Sequence, residues 1–422
     1  MALRVHSLAF LNEQAAHPNR RLSKSKRAAL VLANESLRQA DRLVVLLGGK
    51  AGRLGETIVA TALLEGILEA LRVTGRRDIP VAVFVDAGAF DLFDERLYQE
   101  RWGQRITFSP IDEDQRAQPM ESFAADMAGR CLLIVDLHGE HDGEPQLRII
   151  EEPTSAATEK RRTLITLANL ARRCIRSYAA RGPLRRYADA VEELFALPVG
   201  SIAGEIPQPR ILLASETSED EKRIALLADL SDLTPRDVLI TCFFQSVVAA
   251  KVYEQWDTVM LALCEWAHQR HPGGRLRFVI PCGDDDLHPN GPTEADLASA
   301  FRDFTGVEGN ADVTVTRIPA LRDLALVLRH AMLTLSNDTG PGHLSGALGV
   351  PTITPYLPGE VYSQRVWAST LAHHGVTLPD SSFTHREVEA AVLWNRTNMI
   401  NAIPPERLAG VAIDCLAARL LR

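Results

Sequence analysis

Short, unbroken apolar runs alternate with longer stretches of helical periodicity along almost the whole chain, and no other feature restricts its fold so strongly. Leu43-Val44-Val45-Leu46-Leu47, Pro80-Val81-Ala82-Val83-Phe84-Val85 and Cys131-Leu132-Leu133-Ile134-Val135 read as strands buried on both faces. Glu56 to Arg72 carries apolar residues at Ile58, Ala62, Leu63, Ile67, Leu68 and Leu71, the spacing of a helix. A second series follows. Strands are expected at 237–241, 277–280, 313–315, 332–335 and 352–354, and helices at 251–268, 294–304, 321–330, 343–348 and 406–421. Residues 159–196 read as Arg-rich helix. Such alternation predicts an α/β fold, most simply two doubly wound halves joined by a hinge. Ligands of such sheets sit beyond the carboxyl ends of the strands.

At 422 residues the chain has room for two such domains, and the Gly/Pro-rich stretch Pro198 to Pro209 is the expected linker. The boundaries are placed at 1–40 (an N-terminal helical extension, with a helix near Ser23 to Ala40), 41–205 and 206–422. With 46% hydrophobic residues the chain can bury a core, which excludes wholesale disorder. A net charge of -8 argues against a nucleic-acid partner. The six cysteines form no CxxC pair and read as reduced thiols. Residues 1–13 do not read as a signal peptide. The uncharged stretch Thr339 to Gly359 holds five Gly and four Pro, which does not read as a membrane span. The expected location is cytoplasmic.

Chemistry concentrates at strand-to-helix turns. In Ser336-Asn337-Asp338-Thr339-Gly340-Pro341-Gly342-His343, Gly340 and Gly342 let backbone approach a ligand, Pro341 suits a helix start, and the free N–H groups suit a phosphate. Asp338 and His343 add an acceptor and a switchable donor. The alternative is an ordinary capped turn with Asp338 as N-cap. Gly48 to Thr57 (GGKAGRLGET) lies in the equivalent place in the first domain. It is neither a Walker loop nor G-x-G-x-x-G. There Glu56 is either a general base at a cleft mouth or an acid stabilised by the helix dipole. Lys50 and Arg53 are anion contacts or solvated charges. Lys251, expected at a helix start where a cation is disfavoured, points to an anionic partner, with Gln245 and Ser246 as nearby donors. His138 follows a strand. Asp284-Asp285-Asp286 reads as a solvated loop, so no metal site is expected.

Ser336 to Pro358 (SNDTGPGHLSGALGVPTITPYLP) resembles the signature of glycosyltransferase family 9, the bacterial heptosyltransferases, approximately N-D-T/S-G-x-x-H-L-A-A-A-L-G-x-P-T. Lys251 to Trp256 resembles the family's K-x-W-P-x-x-x-W/F element, with Tyr253 for Trp and Glu254 for Pro. Ile134 to His138 is similar to its strand ending D-L-Q, and Leu43 to Leu71 to its opening strand, loop and helix.

The resemblance implies a GT-B fold, two Rossmann-like doubly wound domains facing a central cleft, and an inverting, metal-independent glycosyltransferase that needs no cofactor. It would move a heptose or related sugar from an ADP-activated donor to an acceptor hydroxyl, glycan or lipid-linked. The first domain would take the acceptor and the second the donor. Glu56 would stand where the family has a catalytic Asp, one methylene shorter. Lys251 would hold the donor phosphates, and Asp338, Thr339, Gly340, Gly342 and His343 the sugar and diphosphate. Gln245 and Ser246 join the donor set; Lys50, Arg53 and His138 are the acceptor-side candidates. Arg-rich segments from Arg161 to Arg186 suggest a phosphorylated or membrane-surface acceptor at the inner membrane. A non-hydrolysing sugar-nucleotide epimerase and a silent sugar-nucleotide-binding protein are the alternatives.

Overall fold

The computed structural model describes residues 4–7, 42–47, 54–111, 132–136, 146–150, 162–166, 208–283, 292–357, 372–378 and 396–421, with single positions and short pieces in 191–202 and 387–394. The chain divides into two compact units, Met1–Ala214 and Ser215–Arg422.

In the first unit β1 (Arg4–Ser7), β2 (Arg42–Leu47), β3 (Val81–Asp86), β4 (Ile106–Ile111), β5 (Leu132–Asp136), β6 (Gln146–Ile150) and β7 (Arg162–Thr166) form one sheet. Its order is β1-β6-β7-β5-β2-β3-β4. β7, β5, β2, β3 and β4 run parallel; β6 and β1 are added antiparallel at one edge. Helix α1 (Leu54–Val73) follows β2 and buries Ile58, Ala62, Ile67, Leu68 and Leu71, the stripe its spacing predicts. Helix α2 (Glu95–Trp102) starts at Asp94, whose carboxylate accepts from the Leu97 N–H, and stops at left-handed Gly103.

Two expectations are corrected here. Arg4–Ser7 is a strand of the sheet, so the first residues are not all a helical appendage; the helix expected near Ser23 to Ala40 lies outside the described residues. Residues 162–166, read as part of an Arg-rich helix, form β7. Leu164 and Ile165 sit between a parallel neighbour, β5, and an antiparallel one, β6, and backbone pairing on both sides overrides local propensity.

The second unit contains α3 (Ser218–Leu227), β8 (Val238–Phe243), α4 (Trp256–Arg270), β9 (Leu276–Cys282), α5 (Glu294–Ala300), β10 (Ala311–Arg317), α6 (Leu321–His330), β11 (Leu333–Ser336), α7 (Gly340–Ala347), β12 (Thr352–Tyr356), β13 (His373–Thr377) and α8 (Pro405–Leu420). All six strands are parallel, in the order β10-β9-β8-β11-β12-β13. Numbered within the unit this is 3-2-1-4-5-6, the doubly wound order, and it reverses direction between β8 and β11. β8, β9, β11 and β12 are buried throughout, as both-face burial of a parallel sheet requires. One core joins the sheet to α4 and α8 through Trp256, Met260, Leu263, Leu408, Ala412 and Leu416.

Candidate functional site

The reversal between β8 and β11 sets two loops side by side at the carboxyl ends of adjacent strands, since Ser336 pairs with Phe243 at the last rung. The loop after β8 carries Lys251; the loop after β11 carries Asp338. Lys251 Nζ stands 2.5 Å from Asp338 Oδ2. His343, one turn into α7, places Nε2 at 3.2 Å from Asp338 Oδ1. The Asp338 and His343 side chains retain only 9% and 7% of their accessible surface, and Lys251 retains 23%. Lys251 is thus the side chain of the trio most open to its surroundings.

Burial by itself would raise the Asp338 carboxyl. The Lys251 charge, then the hydrogen bond and charge of His343, outweigh it and hold the group well below the usual carboxylate range. Behind His343 lies His373, at 5.3 Å between ring centroids. Its Nε2 is 2.9 Å from Thr354 Oγ1 and 3.2 Å from the Tyr356 hydroxyl. Burial, then the neighbouring His343, pulls the His373 imidazole down to about 3. Burial, then the Asp338 charge, pushes the Tyr356 phenol well up.

The turn into α7 differs from a simple capped turn. Thr339, not Asp338, occupies the N-cap position, and its side chain caps no backbone N–H; Asp338 is turned to Lys251 and His343 instead. Pro341 sits in the first turn as expected. Gly342 has a packing reason: a Cβ there would stand 2.4 Å from Ser336 Oγ, so its absence serves contact between α7 and the end of β11. The helix closes on left-handed Gly349. Beneath it, hydroxyls link the layers: Thr241 to Thr334 at 2.7 Å, Thr334 to Ser345 at 2.7 Å, and Thr352 to Ser345 at 3.0 Å.

Lys251 does not open a helix. It ends a 3-10 turn, Ala249–Lys251, and α4 starts five residues later at Trp256. The segment between is pinned from both sides. Asn337 Oδ1 accepts from Tyr253 N–H at 3.2 Å and Trp256 Nε1–H at 3.0 Å, while its Nδ2 donates to Phe244 O at 2.7 Å. Asn401 Oδ1 accepts from Glu254 N–H at 2.8 Å. Tyr253 is fully buried and donates to Ile403 O, so the aromatic of that motif is a core residue.

Among the other candidates, Gln245 and Ser246 are buried. Gln245 accepts from Gly283 N–H and donates to Pro292 O, and Ser246 Oγ accepts from Val248 N–H. Both therefore brace neighbouring backbone. Glu56 falls in the first turn of α1, after β2, where the first sheet reverses between β2 and β5. Lys50, Arg53, His138 and Asp284 to Asp286 lie outside the described residues. No three His, Cys, Asp or Glu side chains cluster at metal-binding spacing among the described residues, and no described helix is long and apolar enough to cross a membrane. Sequence reasoning placed Asp338, His343 and Lys251; it passed over Asn337, His373 and Asn401, whose partners lie far along the chain.

The family model for glycosyltransferase family 9 (heptosyltransferase) matches residues 289–389, a span that includes the whole turn from β11 into α7. Among solved structures, a family 9 glycosyltransferase from Veillonella parvula is similar over 90% of this chain and 98% of its own, at 15% identity and a TM-score of 0.57. ADP-heptose lps heptosyltransferase II of E. coli is similar over 90% and 99%, at 11% identity and a TM-score of 0.48. The E. coli heptosyltransferase WaaC with ADP is similar over 84% and 99%, at 16% identity and a TM-score of 0.40. No curated protein sequence matches. The first of these similarities shows the shared GT-B fold.

Proposed function

We propose that this chain, a glycosyltransferase of family 9 type, transfers a heptose or closely related sugar from an ADP-activated donor to an acceptor hydroxyl with inversion, without a metal or other cofactor. The observation that carries the reading is the Lys251–Asp338–His343 trio at the strand-order reversal, beside a helix start that no side chain caps.

The donor's diphosphate lies against Lys251 and the N–H groups opening α7. An ammonium has three donors, and Asp338 engages one, so Lys251 can hold Asp338 and a phosphate oxygen together. An anion there also meets the positive end of the helix dipole. As the glycosidic bond breaks, charge grows on the leaving phosphate oxygen; contacts that strengthen at that moment lower the barrier. Asp338 keeps free lone pairs beyond those facing Lys251 and His343, and these orient sugar hydroxyls. Glu56 takes the acceptor proton while the acceptor oxygen attacks the anomeric carbon opposite the leaving group. ADP and heptose rest on the family resemblance, and a lipid-linked or glycan acceptor at the inner membrane face on the Arg-rich stretch from Arg161 to Arg186.

Calorimetric titration with ADP, UDP and GDP tests the donor site. Selective ADP binding is expected, weakened about tenfold or more in Lys251→Ala, as loss of a charged hydrogen bond implies. UDP or GDP preference would discard the ADP donor. Unchanged binding in the variant would place the site elsewhere.

A further inference from the structure

The segment that carries Lys251 has no regular structure of its own between the 3-10 turn and α4, yet several of its polar groups are engaged at long range. Asn337, fully buried, takes the Tyr253 N–H and the Trp256 indole on one oxygen and returns its amide to Phe244 O. Asn401 grips the same segment from the opposite side. Its Oδ1 accepts from Glu254 N–H at 2.8 Å, its Nδ2 donates to Val252 O at 3.4 Å, and its backbone carbonyl accepts from Gln255 Nε2 at 2.7 Å. Residue 401 lies beyond the span matched by the family model, in the turn that precedes α8.

We infer that Asn337 and Asn401 are paired positioning residues for Lys251: together they hold residues 252–256 so that the Lys251 ammonium stands over Asp338 before any ligand arrives. Neither side chain would touch the substrate. Their role is to remove the ordering that a mobile lysine loop would undergo on binding a phosphate, and preorganisation of this kind raises affinity without adding a contact. Both clamps are side-chain amides, which supply donor and acceptor from one group and carry no charge to compete with the trio. The inference rests on the donor-site reading above.

Asn401 is only partly buried, so Asn401→Ala is the variant to begin with; Asn337→Ala, at a fully buried position, follows it. The experiment is a double-mutant cycle on ADP binding, read by calorimetry on the full chain: wild type, Asn401→Ala, Lys251→Ala and the pair. The expected result is an affinity about three- to tenfold lower in Asn401→Ala, and no further loss when Asn401→Ala is added to Lys251→Ala. Amide exchange at Glu254 should quicken in the variant while exchange in β8 stays slow. Equal losses in both backgrounds would overturn the inference, because Asn401 would then act other than through Lys251; so would unchanged binding in Asn401→Ala. If Lys251→Ala binds ADP as wild type does, the donor-site reading falls and the clamp's purpose with it.

Discussion

Asp338 is the residue on which most of the candidate site turns, and its surroundings make sharp predictions. Its stabilising effect begins to be lost only below the ordinary carboxylate value, whereas that of His373 begins to be lost near the ordinary histidine value. The unfolded chain protonates His373 near the ordinary histidine value, whereas the folded protein resists until about 3. Between those limits the unfolded state binds the extra proton. Stability therefore falls as pH drops from about 6.5, by at most about 1.4 kcal/mol per pH unit for this one group, and half-buried His374 acts in the same direction. Asp338, held below the usual carboxylate range by its partners, contributes stability that is lost as pH falls below the ordinary carboxylate value. Urea midpoints from pH 7 to 4 should decline in wild type and decline less in His373→Gln; parallel curves would refute the assignment. Gly342→Ala is expected to cost about 1–3 kcal/mol, because its Cβ would overlap the buried Ser336 side chain, measurable by urea denaturation and partly relieved in Ser336→Gly. The sequence motif announced Asp338, His343 and Lys251 through adjacent, chemically distinctive residues. Asn337 and His373 were silent, because an amide or imidazole acquires its meaning from partners 84 or 17 positions away.

Elements were legible in proportion to how much of their pairing they bury. β2, β3, β5, β8, β9, β11 and β12 are continuous apolar runs flanked by turns, and pattern alone finds them. β4 reads ITFSPI and sits at a sheet edge, with alternating exposure in place of a run. β13 reads HHGVT and is held by its parallel register on β12, a signal with no local counterpart. β7 went the other way, its arginines suggesting a helix that the sheet does not permit. At this scale α7 merits one prediction. Ser345 supplies the hydroxyl that joins Thr334 and Thr352, so Ser345→Ala removes one partner from each, while Thr334 keeps Thr241 and Thr352 keeps the Val350 carbonyl. A loss of about 1 kcal/mol is expected in urea denaturation, the usual net worth of a hydrogen bond. Helix α1 shows a comparable tie in the other unit: buried Glu65 meets Arg101 at 3.4 Å and Arg210 at 3.3 Å, and Thr61 accepts from Arg210 N–H. Burial raises the Glu65 carboxyl although both arginines oppose it.

For the whole molecule the two units divide the labour on the proposed reading, which sets a separable expectation. Glu56→Gln should lower the transfer rate by about 10²–10⁴ while leaving ADP affinity within about twofold, the pattern of a lost general base. Lys251→Ala should do the reverse in kind, weakening ADP binding first. A rate unchanged in Glu56→Gln, read as acceptor-dependent release of nucleoside diphosphate, would take the base role from that residue. One further matter follows from where α8 packs. Its Leu408, Ala412 and Leu416 complete the core around Trp256 and Met260, Tyr253 bonds to Ile403 just before it, and Arg419 donates to the carbonyls of Ala331, Met332 and Gly349. During synthesis, then, the second unit waits: its six strands can all have left the ribosome while the lysine loop still lacks Asn401 and the core still lacks α8. A nascent chain halted before that point exposes the apolar faces of α4 and β11, and such a fragment is a client for chaperones and proteases rather than a partly working enzyme.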